Sequence, residues 1–430
     1  MEESFLNSVT LNDQLCTGCT NCIKRCPTQA IRVRNKKAYI NKAFCIDCGQ
    51  CVRTCPYHAK IPTYDSMSVI DNYKYTVALP APSFYGQFNN LEDVNIILTA
   101  LKKIGFDDVY EVSAAAEMVS AMSREYIQQN KDKRPFISTA CPSVVKLIQV
   151  RFPNLVEHML PFKAPIEIAA ESARKEAVQK TGLPSEQIGI IFISPCPAKH
   201  TAIHAPIGNK KSNVDAVIAI KEVYPKILPF MKEVQNSPED LMISGKIGIS
   251  WGASGGEAGG QLIDSYLAAD GIENVINVLE DLEDQKFTQL EFIELNACSG
   301  GCVGGVLQVE NPYVAKAKLK RLRKYLPVAL NHYDGGDYTD ALWDTKVEYQ
   351  DVFKLGSDIN ESLKLMNEVE TIASRLPGLD CGTCGAPTCK ALAEDVVRGI
   401  AQENDCIYIL RENIHKLSDD LGKLYDSKKK

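Results

Sequence analysis

The sequence predicts an α/β protein with a mainly parallel sheet at its centre and a small cysteine-rich module towards each end. Three observations predict it. From about residue 73, short apolar runs at 75–79, 136–139, 188–193 and 246–250 are each followed by a Gly- or Pro-containing turn and a helical stretch, which is the texture of βα units. Such units make a sheet covered on both faces. Residues 1–60 carry an internal repeat, in which Cys16, Cys19, Cys22 and Cys26 before Pro27 are echoed by Cys45, Cys48, Cys51 and Cys55 before Pro56. A further group, Cys381, Cys384, Cys389 and Cys406, sits in a compact segment near the other end.

These features divide the 430 residues into an α+β module at 1–70, the βα core at 71–330, a linker and amphipathic helix at 331–375, a small helical cysteine module at 376–406 and a terminal helix at 407–430. In the first module, residues 30–33 and 38–40 alternate as short strands around a basic turn. Residues 331–350, rich in Asp, Gly and Tyr, read as a linker or an extended wrap. Residues 357–375 place Ile359, Leu363, Met366 and Val369 on one side of a helix.

Composition excludes several roles. A 45% hydrophobic fraction is that of a globular protein, and a net charge of −6 argues against nucleic acid as the main partner. No apolar stretch is long enough to span a membrane. Met1 is followed by Glu2 and Glu3 with no basic and apolar run behind them, so no secretory or transit segment is expected and the cytoplasm is the expected compartment. Lys428, Lys429 and Lys430 read as a solvated tail. Sixteen cysteines in such a chain stay reduced or bind metal.

The doubled motif Cys-x-x-Cys-x-x-Cys-x-x-x-Cys-Pro wraps three thiolates around one corner of a 4Fe–4S cubane and sends the fourth to the partner cluster. Cys16, Cys19, Cys22 and Cys55 are then expected to hold one cluster, and Cys45, Cys48, Cys51 and Cys26 the other. Zinc is the alternative, although its sites use cysteine pairs with a longer gap between them. Two such clusters make an electron wire of ferredoxin type.

Three segments of the core resemble the signature loops of FeFe hydrogenases, with a likeness that covers roughly residues 1–330. They are Ser138-Thr139-Ala140-Cys141-Pro142, Ser194-Pro195-Cys196-Pro197-Ala198-Lys199, and the run from Glu294 through Cys298 and Cys302 to Gly305. The resemblance implies an H-cluster, in which Cys141, Cys196, Cys298 and Cys302 hold a 4Fe–4S cubane and Cys302 also bridges to a two-iron subcluster carrying CO, cyanide and an azadithiolate. It further implies that Lys199 hydrogen-bonds one cyanide and that Pro82 and Ser83 contact the other, although Pro-Ser at a strand end is also an ordinary turn. Glycines 300, 301, 304 and 305 are expected to let backbone approach the bulky cofactor.

The chain departs from the family pattern in places that bear on proton transfer. Ala140 stands where prototypical members carry a second cysteine, so the relay thiol is missing. Ser194 and Asn296 replace expected methionines, Ile166 replaces a glutamine, and Ala202 stands where a carboxylate follows the lysine. An unbroken hydrogen-bonded chain to solvent is needed for proton transfer. Glu257, in the Gly-rich stretch Trp251-Gly252-Ala253-Ser254-Gly255-Gly256-Glu257, is a candidate substitute relay; a solvated turn glutamate is the other reading.

The segment from Leu376 to Cys389, followed by Cys406, resembles the single-cubane module of electron-transfer and corrinoid proteins, and implies a third 4Fe–4S cluster on Cys381, Cys384, Cys389 and Cys406, with zinc again the alternative. Sensory members of the hydrogenase family carry this module. Beyond it, Ile407, Leu410, Ile414, Leu417, Leu421 and Leu424 step by three and four. That seam suits a helix that forms a homodimer or docks a partner, or one packed back on its own core.

Resemblance thus implies a slow, sensory or regulatory FeFe hydrogenase that interconverts H2 with protons and electrons. Its partners would be ferredoxin or a signalling protein, and dedicated maturation proteins would build the two-iron unit. A catalytic subunit of a larger ferredoxin-linked redox complex is one alternative; an iron–sulfur scaffold lacking the two-iron unit is another.

Overall fold

The structure is a computed structural model and describes residues 6–287 and 289–427. Met1, Glu2 and Glu3 and the expected tail of Lys428, Lys429 and Lys430 lie outside the described residues. The chain forms two compact units. One comprises the residues up to Val9, Ile46–Gly49 and Pro62–Gln350; the other comprises Thr10–Cys45, Gln50–Ile61 and the residues from Asp351 on.

In the first unit, parallel pairing is shared between two sheets. A four-stranded sheet runs in the order Asp108–Val109, Tyr75–Pro80, Ile188–Ser194, Ala216–Ala219, with Tyr75 beside Ile188 and Ile191 beside Ala216. All seven residues of Ile188–Ser194 are buried, as a central parallel strand demands. Alternation then assigns the faces. Ile191 and Ile193 pack with Leu98, Leu101, Val223 and Ile227, from the helices Val94–Lys103 and Ile220–Val234. Ile190 and Phe192 pack with Val112, Ala115, Ala169 and Ala173, from the helices Val112–Gln129 and Pro165–Thr181. A three-stranded parallel sheet orders Tyr266–Asp270, Phe292–Asn296 and Phe136–Ile137.

Two of the expected strands differ. Residues 246–250 are a helix, Lys246–Ser250, because a five-residue apolar run carries no periodicity to distinguish strand from helix. Its packing decides the matter: the buried Glu117 carboxylate accepts from the Gly245 amide at 2.7 Å, and a Cβ on Gly248 would lie 2.1 Å from the Ser113 carbonyl oxygen. The strand at 136 stops at Ile137, which frees Ser138 and Thr139 to lead the chain towards Cys141. Residues 331–350 run as an extended wrap over this unit. The amides of Leu330 and Asn331 bond Glu117, that of Trp343 bonds the Pro161 carbonyl, and that of Gln350 bonds the Gln149 carbonyl.

In the second unit, Ile31–Arg34 and Lys37–Ile40 pair as an antiparallel hairpin. Asn35 and Lys36 both have positive φ, as a two-residue hairpin turn requires. The C-terminal cysteine module packs on this hairpin. Asp395 accepts from Arg32 Nε at 2.7 Å and Arg34 Nη2 at 2.9 Å, and Val33 N donates to Gly385 O at 2.8 Å. Gly385 has φ +83°, and a Cβ there would meet the Val33 oxygen at 1.8 Å, so no other residue fits. Helix Ile359–Arg375 buries Val369 and Ile372 against Leu392 of helix Cys389–Val397, whereas Ile359, Leu363 and Met366 are exposed. The terminal helix Ile407–Ser427 keeps its seam on the surface, with Ile414 56% and Leu417 63% exposed, so it is not packed back on its own core.

Candidate functional site

Each core cysteine stands just beyond the C-terminal end of a parallel strand, where open α/β sheets place their ligands. Cys141 follows Phe136–Ile137 and precedes the helix Pro142–Arg151; Cys196 follows Ile188–Ser194 and precedes Pro197–His204. Both helices start with proline at their first turn, which fixes where the cysteine must sit. Cys298 and Cys302 follow Phe292–Asn296. The four thiols line one cavity of about 100 Å³ together with Pro82, Ala140, Ile166, Lys199 and Glu257. Cys48 lines it too.

Gly301 and Gly305 line this cavity, and each is also held tightly against a neighbouring loop. A Cβ on Gly305 would lie 2.1 Å from the Pro195 oxygen, and one on Gly301, at φ +87°, would lie 2.3 Å from the Ser254 amide. Close packing of loop on loop is what requires them, and that packing brings Cys302 alongside Cys196.

The donor set suits iron. Burial first, then the neighbouring thiols Cys298 and Cys141, push the Cys196 thiol up to about 12, and Cys302 is driven well above its ordinary value for the same reasons. Buried thiols packed side by side ionise only when a cation supplies compensating charge. Soft sulfur ligands in such a setting are those of iron–sulfur clusters.

Lys199 Nζ donates to the Ala140 carbonyl at 3.0 Å. It also lines a second cavity of about 310 Å³, with Asp47, Lys146 and Glu167. Pro82 reaches the central cavity, while Ser83 lies behind it, fully buried, its Oγ accepting from Gln308 Nε2 at 2.8 Å. The same Gln308 nitrogen donates to the Cys302 carbonyl at 3.1 Å, and Gln308 Oε1 is buried without a partner. Nothing in the sequence singles out Gln308.

Glu257 is not a solvated turn residue. It lies in the short helix Gly256–Gly260, is 6% exposed and accepts from Ser138 Oγ at 2.5 Å. Burial, reinforced by the neighbouring Glu294 carboxylate, pushes its carboxyl up to about 8, against the opposing pull of Ser138 and Lys199. Glu294 accepts from the amides of Gly255 and Ala258 at 2.9 and 2.8 Å and from Asn296 Nδ2 at 2.8 Å, yet burial still raises it. Its role went unread in the sequence; an acidic residue inside the apolar strand Phe292–Asn296 was the available signal.

In the second unit, Cys16, Cys19, Cys22 and Cys55 line one small cavity with Lys60, whose Nζ is buried without a hydrogen-bond partner. An orphaned ammonium among thiols suits an anionic cluster. Cys26 lies close enough to Cys51 to disfavour its ionisation, and with burial as the larger cause the Cys51 thiol is pushed up to about 12. Cys381, Cys384, Cys389 and Cys406 line a further cavity. None of the sixteen cysteines is in a disulfide. Among the described residues no helix is long and apolar enough to cross a membrane.

Comparison with known proteins agrees with this chemistry. The family described as iron only hydrogenase large subunit, C-terminal domain, matches residues 74–259 and 252–306, more than half of the chain. A 4Fe-4S dicluster domain matches 8–56, and an Fe-S cluster family matches 376–408. Iron hydrogenase 1 of Clostridium pasteurianum is 24% identical over 305 residues, covering 58% of this chain and 53% of that protein. A probable cytosolic Fe-S cluster assembly factor of Aedes aegypti, AAEL012261, is 23% identical, covering 53% of this chain and 60% of the factor. The chain thus spans between about half and two thirds of the length of these two relatives. The solved FeFe hydrogenase HydA1 of Chlamydomonas reinhardtii is 14% identical with a TM-score of 0.45, covering 59% of this chain and 86% of that one. A cavity lined by four half-buried thiols from three strand ends, in a chain matched over these residues, leads to one assignment: the chain belongs to the iron-only hydrogenase large-subunit family.

Proposed function

We propose that the protein is an FeFe hydrogenase of sensory or regulatory type, interconverting H2 with two protons and two electrons slowly in the cytoplasm. The carrying observation is that Cys141, Cys196, Cys298 and Cys302 line one cavity with Lys199. In this reading Cys141, Cys196, Cys298 and Cys302 would hold a cubane, and Cys302 would also tie the two-iron subcluster to the protein. When bound, that subcluster supplies the site of heterolytic H2 cleavage.

The chain's own residues do the rest. Lys199, held by the Ala140 carbonyl, would offer its remaining N–H donors to a cyanide, and Pro82, backed by the buried Ser83, lines the same cavity. Glu257, protonated near neutral pH, holds a proton at a carboxyl oxygen next to Ser138 Oγ and replaces the thiol that Ala140 lacks. Cys16, Cys19, Cys22 and Cys55, then Cys45, Cys48, Cys51 and Cys26, and finally Cys381, Cys384, Cys389 and Cys406, hold the three cubanes that carry electrons to ferredoxin or a signalling protein. The surface seam of the terminal helix joins two copies of the chain.

A second reading, an iron–sulfur scaffold without the two-iron unit, is favoured by the likeness to the Aedes aegypti factor. Viologen-linked H2 turnover by the chain co-produced with hydrogenase maturation proteins separates the two. Turnover that depends on the maturation proteins supports the hydrogenase; complete inactivity of a fully iron-loaded protein supports the scaffold.

A further inference from the structure

Away from the thiols, Asp65, His200 and His204 bring one potential ligand atom each within 4.8 Å of one another. The two histidines are spaced i, i+4 on Pro197–His204 and share a face, with ring centroids 4.7 Å apart. Asp65 lies at the edge of the four-stranded sheet, where its Oδ2 accepts from the Val217 amide at 2.8 Å. That leaves Oδ1 towards His200 Nε2, 3.8 Å away. The gap is too long for a hydrogen bond. Two ligand atoms on one tetrahedral zinc stand roughly 3.3 Å apart, so a shift of a few tenths of an ångström closes the pair on an ion.

Hydroxyl groups behind the pair order the protons. Thr201 Oγ1 donates to Asp47 Oδ2 at 2.7 Å, so the hydrogen bond between Ser8 Oγ and Thr201 Oγ1, also 2.7 Å, has Ser8 as donor. Ser8 Oγ must then accept from His200 Nδ1, 2.9 Å away. In the neutral imidazole this turns a bare Nε2 lone pair towards a carboxylate oxygen, an arrangement that calls for a cation between them. A histidine whose other nitrogen is held in this way has the outer support typical of a metal ligand.

We propose that Asp65, His200 and His204 form a binding site for a divalent transition-metal ion, Zn2+ in the first instance, with a water completing the coordination. Nitrogen and carboxylate donors suit zinc and not a further iron–sulfur cluster. The ion staples the helix that begins next to Cys196 and carries Lys199 to the edge strand Ala216–Ala219. The site does not rest on the hydrogenase reading.

The test uses the full chain, matured with its clusters under anaerobic conditions and freed of loose metal on chelating resin. Zinc is titrated calorimetrically and the bound ion is read at the zinc K-edge, where iron does not interfere. One zinc is expected, with only nitrogen and oxygen neighbours at about 2.0–2.1 Å and an imidazole signature. His204→Ala, at an exposed position, and Asp65→Asn, which keeps an acceptor for the Val217 amide, are each expected to weaken binding at least about 10-fold, and Ser8→Ala about 10-fold through the His200 tautomer. Sulfur neighbours at about 2.3 Å, unchanged affinity in both ligand variants, or no uptake at micromolar zinc would each overturn the proposal. In the last case the pair is a proton-shared His200–Asp65 contact.

Discussion

The core cavity and the C-terminal module each gather four thiols, yet they are built in opposite ways. The core draws Cys141, Cys196, Cys298 and Cys302, all half-buried, from three strand ends to line one cavity with Lys199, Glu257 and Glu294. The C-terminal module takes all four from one stretch of 26 residues, and among the described residues the carboxylate lining its cavity is the exposed Asp380. Their thiols differ accordingly. Burial pushes Cys196 up to about 12, whereas Cys381 is held below its ordinary value by the hydroxyl and amide of Thr383. The C-terminal cavity has no amine among its described lining residues. The core site, with an amine and two carboxyls at its wall, has the proton-bearing groups that the proposed chemistry needs.

The largest expected effect separates the two sites directly. Cys302→Ser should abolish H2 turnover and the signals of the two-iron unit. Cys384→Ser should remove one cubane, read by iron content and electron paramagnetic resonance, and leave the two-iron unit in place. Loss of the two-iron unit in both variants would erase the distinction.

Glu257→Gln keeps shape and removes the proton, and turnover should fall on the order of 10²-fold or more. Unchanged turnover would return Glu257 to a structural role.

Asp395 is 2% exposed and its only oxygen shared with arginine is claimed by both Arg32 and Arg34. Replacing it with Asn leaves buried guanidinium charge uncompensated, so the second unit should lose about 3–5 kcal/mol in thermal or denaturant unfolding. The core unit should melt as before.

A smaller effect is expected from pH. Because the folded Glu257 carboxyl is raised from 4.5 to about 8, its protonated form is favoured in the fold, and its contribution is fully present below pH 4.5 and lost by about pH 8. The stability of the core unit should therefore decline over that interval in the parent protein and decline less in Glu257→Gln. Smallest in energy is the terminal helix: Leu417→Glu on the exposed seam should shift sedimentation from dimer to monomer without altering either unit.

The same contrast explains what could be read from the sequence. Cysteine spacings at both ends, the parallel strands at 75 and 188 and the three core loops are local patterns, and each was legible. Partners supplied from afar were not. Gln308 meets Ser83 across 225 positions, and Glu117 caps the 246–250 turn across more than 120. No periodicity records such pairings, and the apolar run at 246–250 carries no sign of the helix that they hold in place. Glu257 was visible as a candidate, but its burial depends on Ser138 and Glu294, which reach it only in the fold. The packing of Asp395 on Arg32 and Arg34 was likewise hidden, since it joins segments from opposite ends of the chain.

Infrared spectroscopy of the chain after co-production with hydrogenase maturation proteins tests the central claim most directly. Sharp cyanide and CO stretching bands that shift on exposure to H2 and disappear in Cys302→Ser are the predicted result. A fully iron-loaded protein with no such bands would contradict the account, because the core thiols would then hold a cubane and nothing more.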